Sequence, residues 1–193
     1  ESARIGAEGD GFKLAMKAPD PSRMGIGAQG LGIARAAYEA SLAYANEREQ
    51  FGKKIGSFQA VQWKLADMAM RIEAARLLVL RAAELKDNGL PFTKEAAQAK
   101  WFATELAQWA TIEAVQIHGG NGYTTDYPVE RYMRDAKSTT IYEGTREIQQ
   151  HVIAKQLGVP SSWCATLNPQ DSRRPRTPGA AMPRTDTQKH RRR

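Results

Sequence analysis

The sequence predicts an all-α fold, an antiparallel up-and-down four-helix bundle. Two observations carry that expectation. Apolar residues recur at helical spacing along segments of 25–30 residues joined by short loops, and no stretch alternates polar and apolar residues as a half-buried strand does.

Residues 1–23 contain Gly, Pro and Asp, and "APDPSR" predicts a turn. This stretch reads as an irregular lead-in with a short helical piece around Phe12–Lys17. A first long helix is expected over about Met24–Glu49, with Ile33, Ala37, Leu42, Tyr44 and Ala45 on its apolar face. Gly25, Gly27, Gly30 and Gly32 weaken its early turns by up to ~1 kcal/mol each. They make sense if another backbone or a ligand approaches closely. Ser57 predicts the N-cap of a second helix that stops at Asn88–Gly89. Its seam is Phe58, Val61, Leu65, Met68, Ile72, Ala75, Leu78, Ala82 and Leu85, at steps of three and four. A third helix follows Pro91 and reaches about Ile117, its buried side marked by Ala99, Phe102, Leu106, Trp109 and Val115, with Gly119 and Gly120 as its stop. Pro128 suits the first turn of a short helix through about Asp135. The last helix opens near Gly144–Thr145 and ends at Leu157–Gly158, with Thr145 as N-cap and Glu147 in the first turn.

The 193 residues therefore divide into a lead-in (1–23), a helical bundle (24–158) and a tail (159–193). The net charge is +7, but eight Lys/Arg against two Asp/Glu place +6 of it in the tail. That tail is rich in Pro, Arg and Thr and is expected to be disordered. "RRPR" and "HRRR" there are the whole case for nucleic-acid binding, so the bundle is not read as a nucleic-acid module. No apolar run approaches the ~20 residues that span a bilayer, and "ESARIGAEGDGF" is not a secretory leader. The chain does not begin with Met and reads as cut from something longer. The single cysteine, Cys164, leaves no internal disulfide framework and suits a reducing compartment.

Each motif has a plain reading beside a chemical one. "GIGAQG" (Gly25–Gly30) matches G-x-G-x-x-G, but no strand precedes it, so close packing at a helix start is the better account than a dinucleotide fingerprint. His118, His151 and His190 lack partners at ligand spacing, so no metal site is expected. "REQFGKK" is either a basic helix end with Phe51 packing down, or Arg48 as a fork for a pyrophosphate beside a stacking ring. "QIHGGNGY" is either a helix stop or backbone that approaches a ligand, with Gln116 as a polar handle. In "TTIYEGTREIQ", spacing alone favours Glu143 as a carboxylate leading into a helix over Glu143 as a base.

Taken in order, these segments resemble the C-terminal half of the acyl-CoA dehydrogenases, flavoproteins that desaturate acyl-CoA thioesters. The resemblance runs from "GAEGDGFKLAM" through "DPSR", "REQFGKKIGSFQAVQWKLADM", "EAARLLVLRAAELKDNG", "KEAAQAKWFA", "QIHGGNGYTTDYPVERYMRDAK" and "IYEGTREIQ", about residues 5–158, and is nearest the short-chain branch. It implies FAD as cofactor, an acyl-CoA substrate, electron-transfer flavoprotein as acceptor, a homo-oligomer (tetramer or dimer), no membrane, and a bacterial cytoplasm or mitochondrial matrix. By the same resemblance Glu143 matches the base. Arg48, Phe51, Gln59, Gln116, Gly119, Gly120, Thr145 and Glu147 match FAD-binding positions, some serving the flavin of a neighbouring subunit. Asp20 to Arg23 match a substrate-contacting turn, with Asp20 and Arg23 as its contacting residues, and Gly144 the position beside the thioester, where a bare residue leaves room for the acyl chain. Burial beside Tyr142 is expected to raise the Glu143 pKa toward the working range. Hydride transfer from the β-carbon to flavin N5 then gives the trans-2-enoyl product.

The family's N-terminal helical and middle β-domains are not in this sequence, so the chain is expected to hold the base and half of the cofactor site. The tail does not resemble the family. The rival expectation is a helical module kept for oligomerisation or interaction, without catalysis.

Overall fold

The computed structural model describes residues 5–17 and 19–160. The tail from 161 onward, with the nucleic-acid reading placed on it and Cys164, lies outside the described residues.

The described part is helical. α1 (Gly11–Lys17) fills the expected short helical piece. α2 (Pro19–Glu47) starts earlier than expected, because "DPSR" forms its first turn and not a separate loop. Pro19 and Pro21 sit where a helix has no use for their missing N–H groups, and Asp20 places a negative charge at the positive end of the helix dipole. The Ser22 hydroxyl oxygen lies 3.0 Å from the Pro19 carbonyl oxygen, within the same first turn. After α2 comes a ribbon too short to leave an alternating pattern: β1 (Glu49–Gln50) pairs antiparallel with β2 (Lys53–Lys54). Phe51 and Gly52, at φ 52° and 76°, turn the corner between them, the left-handed pair that suits a two-residue hairpin.

α3 (Gln59–Asp87) is not capped by Ser57. Phe58 stands at its N-cap without a side-chain bond, and the Ser57 hydroxyl closes the preceding 3-10 turn by donating to the Lys54 carbonyl at 2.7 Å. Its stop is as expected, with Gly89 at φ 68° and the Leu90 N–H bonded back to the Leu85 carbonyl. α4 (Thr93–His118) follows, then a 3-10 turn (Gly119–Tyr123), α5 (Val129–Thr139) and α6 (Arg146–Gln156). α5 runs one turn past Asp135 because Ala136 and Thr139 are buried.

α4 is the axle: α2, α3, α5 and α6 all pack against it. α3 runs antiparallel to α4, since Lys64 pairs with Glu113 and Arg71 lies over the Trp109 ring, at 4.4 Å. Leu65, Met68, Ala75, Ala82 and Leu85 of the expected α3 seam are buried, and Val61 and Ile72 pack beside them. Each large aliphatic side chain so placed stabilises by about 1.5–3 kcal/mol.

α2 runs parallel to α4, and here size matters more than hydrophobicity. A Cβ on Gly27 would stand 3.2 Å from the Ala99 carbonyl carbon, and one on Gly30 would stand 3.0 Å from the Ala103 oxygen. Two backbones touch, which is why these residues are bare; Gly25 and Gly32 face open space. "GIGAQG" is thus a helix-packing stripe. The α4 side of the contact is made of small residues: Ala96, Ala99, Ala103, Ala107, Ala110 and Ala114 are fully buried. Phe102 on α4 and Leu42 on α2, both expected inside, are each 39% exposed.

Candidate active site

The sequence candidates gather at two ends of the bundle. At the first, Glu143 sits in the left-handed region at φ 55°, followed by Gly144 at φ 92°. A non-glycine residue there stores strain that the surroundings must hold in place. The Glu143 side chain is exposed, so burial beside Tyr142 does not occur in this chain, contrary to expectation. Tyr142 instead donates its hydroxyl to Gln29 Oε1 at 2.6 Å. The Glu143 carboxylate accepts from the Ser22 hydroxyl at 2.8 Å, which ties it to the first turn of α2.

Behind the turn stands Lys100, 1% exposed, whose Nζ donates to the Gly144 carbonyl at 2.7 Å. Burial pushes its ammonium below the ordinary lysine value. The nearby Arg23 charge acts the same way, while Glu105 and Glu143 act against it. Gln149, fully buried on α6, donates Nε2 to the carbonyls of Gly144 (2.8 Å) and Glu143 (3.2 Å). Gly144 has an internal reason to be bare, since a Cβ there would stand 2.8 Å from that amide nitrogen.

Asp20 and Arg23 also lie here, but bonded to each other at 3.1 Å, with Asp20 accepting from the Thr93 hydroxyl as well. Thr145 is the N-cap of α6, as expected. The exposed Glu147 carboxylate is held below the usual range, first by its own backbone N–H and then by the Thr145 hydroxyl.

At the other end, Arg48, Phe51, Gln59, Gln116, Gly119 and Gly120 are all exposed. The same end of α4 holds a stack in which the Tyr44 and His118 rings lie 4.2 Å apart, with Asn121 donating to the Tyr44 hydroxyl at 2.8 Å. Phe51 is 92% exposed at the tip of the ribbon, so the reading in which it packs down is wrong. Arg48 is in no ion pair among the described residues, and a side chain on Gly120 would meet open space. An unpaired guanidinium, an open aromatic face and bare backbone suit an anionic ligand that carries an aromatic ring. The two ends are far apart: α4 rises roughly 27 Å from Lys100 to His118, at about 1.5 Å per residue.

His118 is buried, with Nδ1 2.8 Å from the Ala114 carbonyl. Burial pushes its imidazole below the ordinary 6.5, and the hydrogen bond only partly opposes this. The unfolded chain therefore takes up a proton that the folded chain resists, and stability falls as pH drops below about 6.5. Thermal melts at pH 7.5 and 5.5 are expected to show that loss, and His118→Phe, which keeps a ring against Tyr44, is expected to reduce it.

Lys100 and Gln149 are the site residues that sequence reasoning missed. Ser22 lies within the expected turn Asp20 to Arg23, but its bond to Glu143 was not foreseen. Lys100 carried a usable signal: its helical neighbours Ala96, Ala97, Ala103 and Ala107 are all small, which is unusual company for a solvated lysine. Gln149 carried none.

The family described as acyl-CoA dehydrogenase, C-terminal domain, matches residues 9–158. The probable acyl-CoA dehydrogenase YngJ of Bacillus subtilis is 58% identical over 153 residues, 79% of this chain and 40% of its own. The mitochondrial short-chain specific acyl-CoA dehydrogenase of Bos taurus is 54% identical over 79% of this chain and 37% of its own. The structure of butyryl-CoA dehydrogenase from Megasphaera elsdenii superposes with a TM-score of 0.78 at 54% identity, over 79% of this chain and 40% of that one. The chain thus spans about two fifths of the length of these relatives.

Proposed function

We propose that this chain, which belongs to the acyl-CoA dehydrogenase family, supplies the helical, base-bearing part of an FAD-dependent dehydrogenase acting on short-chain acyl-CoA thioesters. The product is the trans-2-enoyl-CoA. The observation that carries this reading is Glu143: an exposed carboxylate on a left-handed turn, held from behind by a buried lysine and a buried glutamine.

An α-proton beside a thioester is weakly acidic. A carboxylate removes it when the substrate is held at hydrogen-bonding range and the developing enolate is stabilised in a site closed to water. In this chain Ser22 orients the carboxylate, and Gly144 leaves the turn free of side-chain bulk. Closing the site over Glu143 falls to surfaces that this chain does not itself provide, since Glu143 is exposed here. FAD, when bound, accepts the β-hydride. Arg48 and Phe51 would hold it, with Gln59, Gln116, Gly119 and Gly120 forming the rest of that surface. Because this surface and Glu143 lie at opposite ends of α4, each flavin is served by two copies of the chain, in a homotetramer or dimer. Electron-transfer flavoprotein as acceptor, and a bacterial cytoplasm or mitochondrial matrix as location, complete the proposal.

The test uses the chain assembled with flavin-bearing domains. Butyryl-CoA is expected to bleach the yellow flavin. Phe51→Gly is expected to relieve the left-handed strain and stabilise the chain by about 1 kcal/mol while weakening FAD binding. No bleaching with flavin bound would count against the dehydrogenase reading. One observation favours a second reading, a helical association module: Trp63, Met70 and Leu77, seven residues apart on α3, are 68%, 60% and 55% exposed. A colourless, inert oligomer is its expected outcome.

A further inference from the structure

A lysine with 1% exposure is costly: removing an ammonium from water costs several kcal/mol unless the geometry repays it. Lys100 is in no ion pair among the described residues. Its Nζ is instead directed at one backbone carbonyl, that of Gly144, at 2.7 Å. The same carbonyl accepts from Gln149 Nε2 at 2.8 Å, which also reaches the Glu143 carbonyl at 3.2 Å. Two fully buried side chains, from α4 and from α6, therefore converge on the two carbonyls of a turn whose residues have φ 55° and 92°. Left-handed backbone at a glutamate persists only when neighbours hold it, and a charge-assisted bond to the following carbonyl is a strong way to do so.

We propose that Lys100 and Gln149 are positioning residues for the Glu143 base: they clamp the Glu143–Gly144 turn from behind, so that the carboxylate is presented on a fixed backbone. The inference rests on the reading of Glu143 as the base. The clamp also explains Gly144 from inside the chain, because any side chain there would displace the Gln149 amide. The Lys100 charge faces Glu143 and Glu105 as well as Arg23, so the ammonium and the carboxylate feel one another across the turn.

Two measurements on the 193-residue chain test the clamp without reference to turnover. The first is amide hydrogen exchange in Lys100→Met and Gln149→Leu. Exchange at residues 143–149 is expected to speed up about tenfold or more, while buried amides of α2 and α3 stay within a factor of about two. Unchanged exchange in the turn, or equal acceleration throughout the bundle, overturns the clamp. The second keeps the proposal testable if those variants fail to fold. Glu143→Gln alters an exposed side chain, and nitrogen NMR can follow the Lys100 Nζ titration. Loss of the carboxylate is expected to move that titration lower, and Lys100→Arg is expected to keep wild-type exchange in the turn. An Nζ titration indifferent to Glu143→Gln means that Lys100 is only a packing residue. If the clamp holds but the assembled Glu143→Gln protein turns over normally, the base reading fails and the positioning geometry stands.

Discussion

Glu143→Gln, in the chain assembled with its flavin-bearing partners, is expected to lower the rate of acyl-CoA-dependent flavin bleaching by roughly 10³-fold or more, within the scale of general-base removal. The amide keeps the shape of the carboxylate and still offers an acceptor to the Ser22 hydroxyl, so the turn survives. What it lacks is a basic oxygen for the α-proton. FAD content and acyl-CoA affinity are therefore expected to stay near wild type, which separates lost chemistry from lost binding. Stopped-flow bleaching with butyryl-CoA reads the first, and equilibrium titration the second. Near-normal bleaching in the variant would falsify the assignment of the base.

Gly30→Leu is expected to be the most damaging single change to the bundle. By helix propensity alone it should help, since leucine is favoured over glycine by nearly 1 kcal/mol inside a helix. Packing reverses the sign. Even the first side-chain atom would stand 3.0–3.2 Å from the Ala103 carbonyl and the Thr104 nitrogen, which are backbone and cannot turn aside. α2 must move off α4, which exposes Ala34 and Ala37 as it goes. A loss of about 3 kcal/mol is typical of severe overpacking, and in a domain of this size it lowers Tm by about 6–12 °C. Gly32→Leu, on the same helix but facing open space, is the control and is expected to be neutral or slightly stabilising. Equal melting of the two variants would mean that the close contact of α2 and α4 is not what makes Gly30 necessary.

These two residues also mark the limits of what the sequence discloses. The α3 seam was legible because Leu65, Met68 and Leu85 are large and regularly spaced. The α2–α4 contact was legible only as an oddity of four glycines, because a contact between backbones leaves no apolar stripe. The same cause misdirected the reading of α4: Phe102 is more hydrophobic than Ala103, yet Ala103 faces the core because only a methyl fits. At the site, Gly144 announced a special backbone, and Glu143 beside it gained a chemical meaning from the order of the surrounding motifs. The small neighbours of Lys100 hint at its burial but not at its role, since a lysine in a helix usually reads as solvated surface. Its role depends on Gly144, 44 residues further on, which no local pattern connects to it.

Under the proposed sharing of each flavin by two copies, the separation of the two candidate surfaces along α4 has a genetic consequence. A chain defective at Arg48 and a chain defective at Glu143 each spoil a different end of the axle. Co-expressed, they can build mixed assemblies in which one flavin meets an intact Arg48 surface from one copy and an intact Glu143 from the other. Two inactive alleles would then restore activity that neither has alone, whereas two alleles damaged at the same end would not.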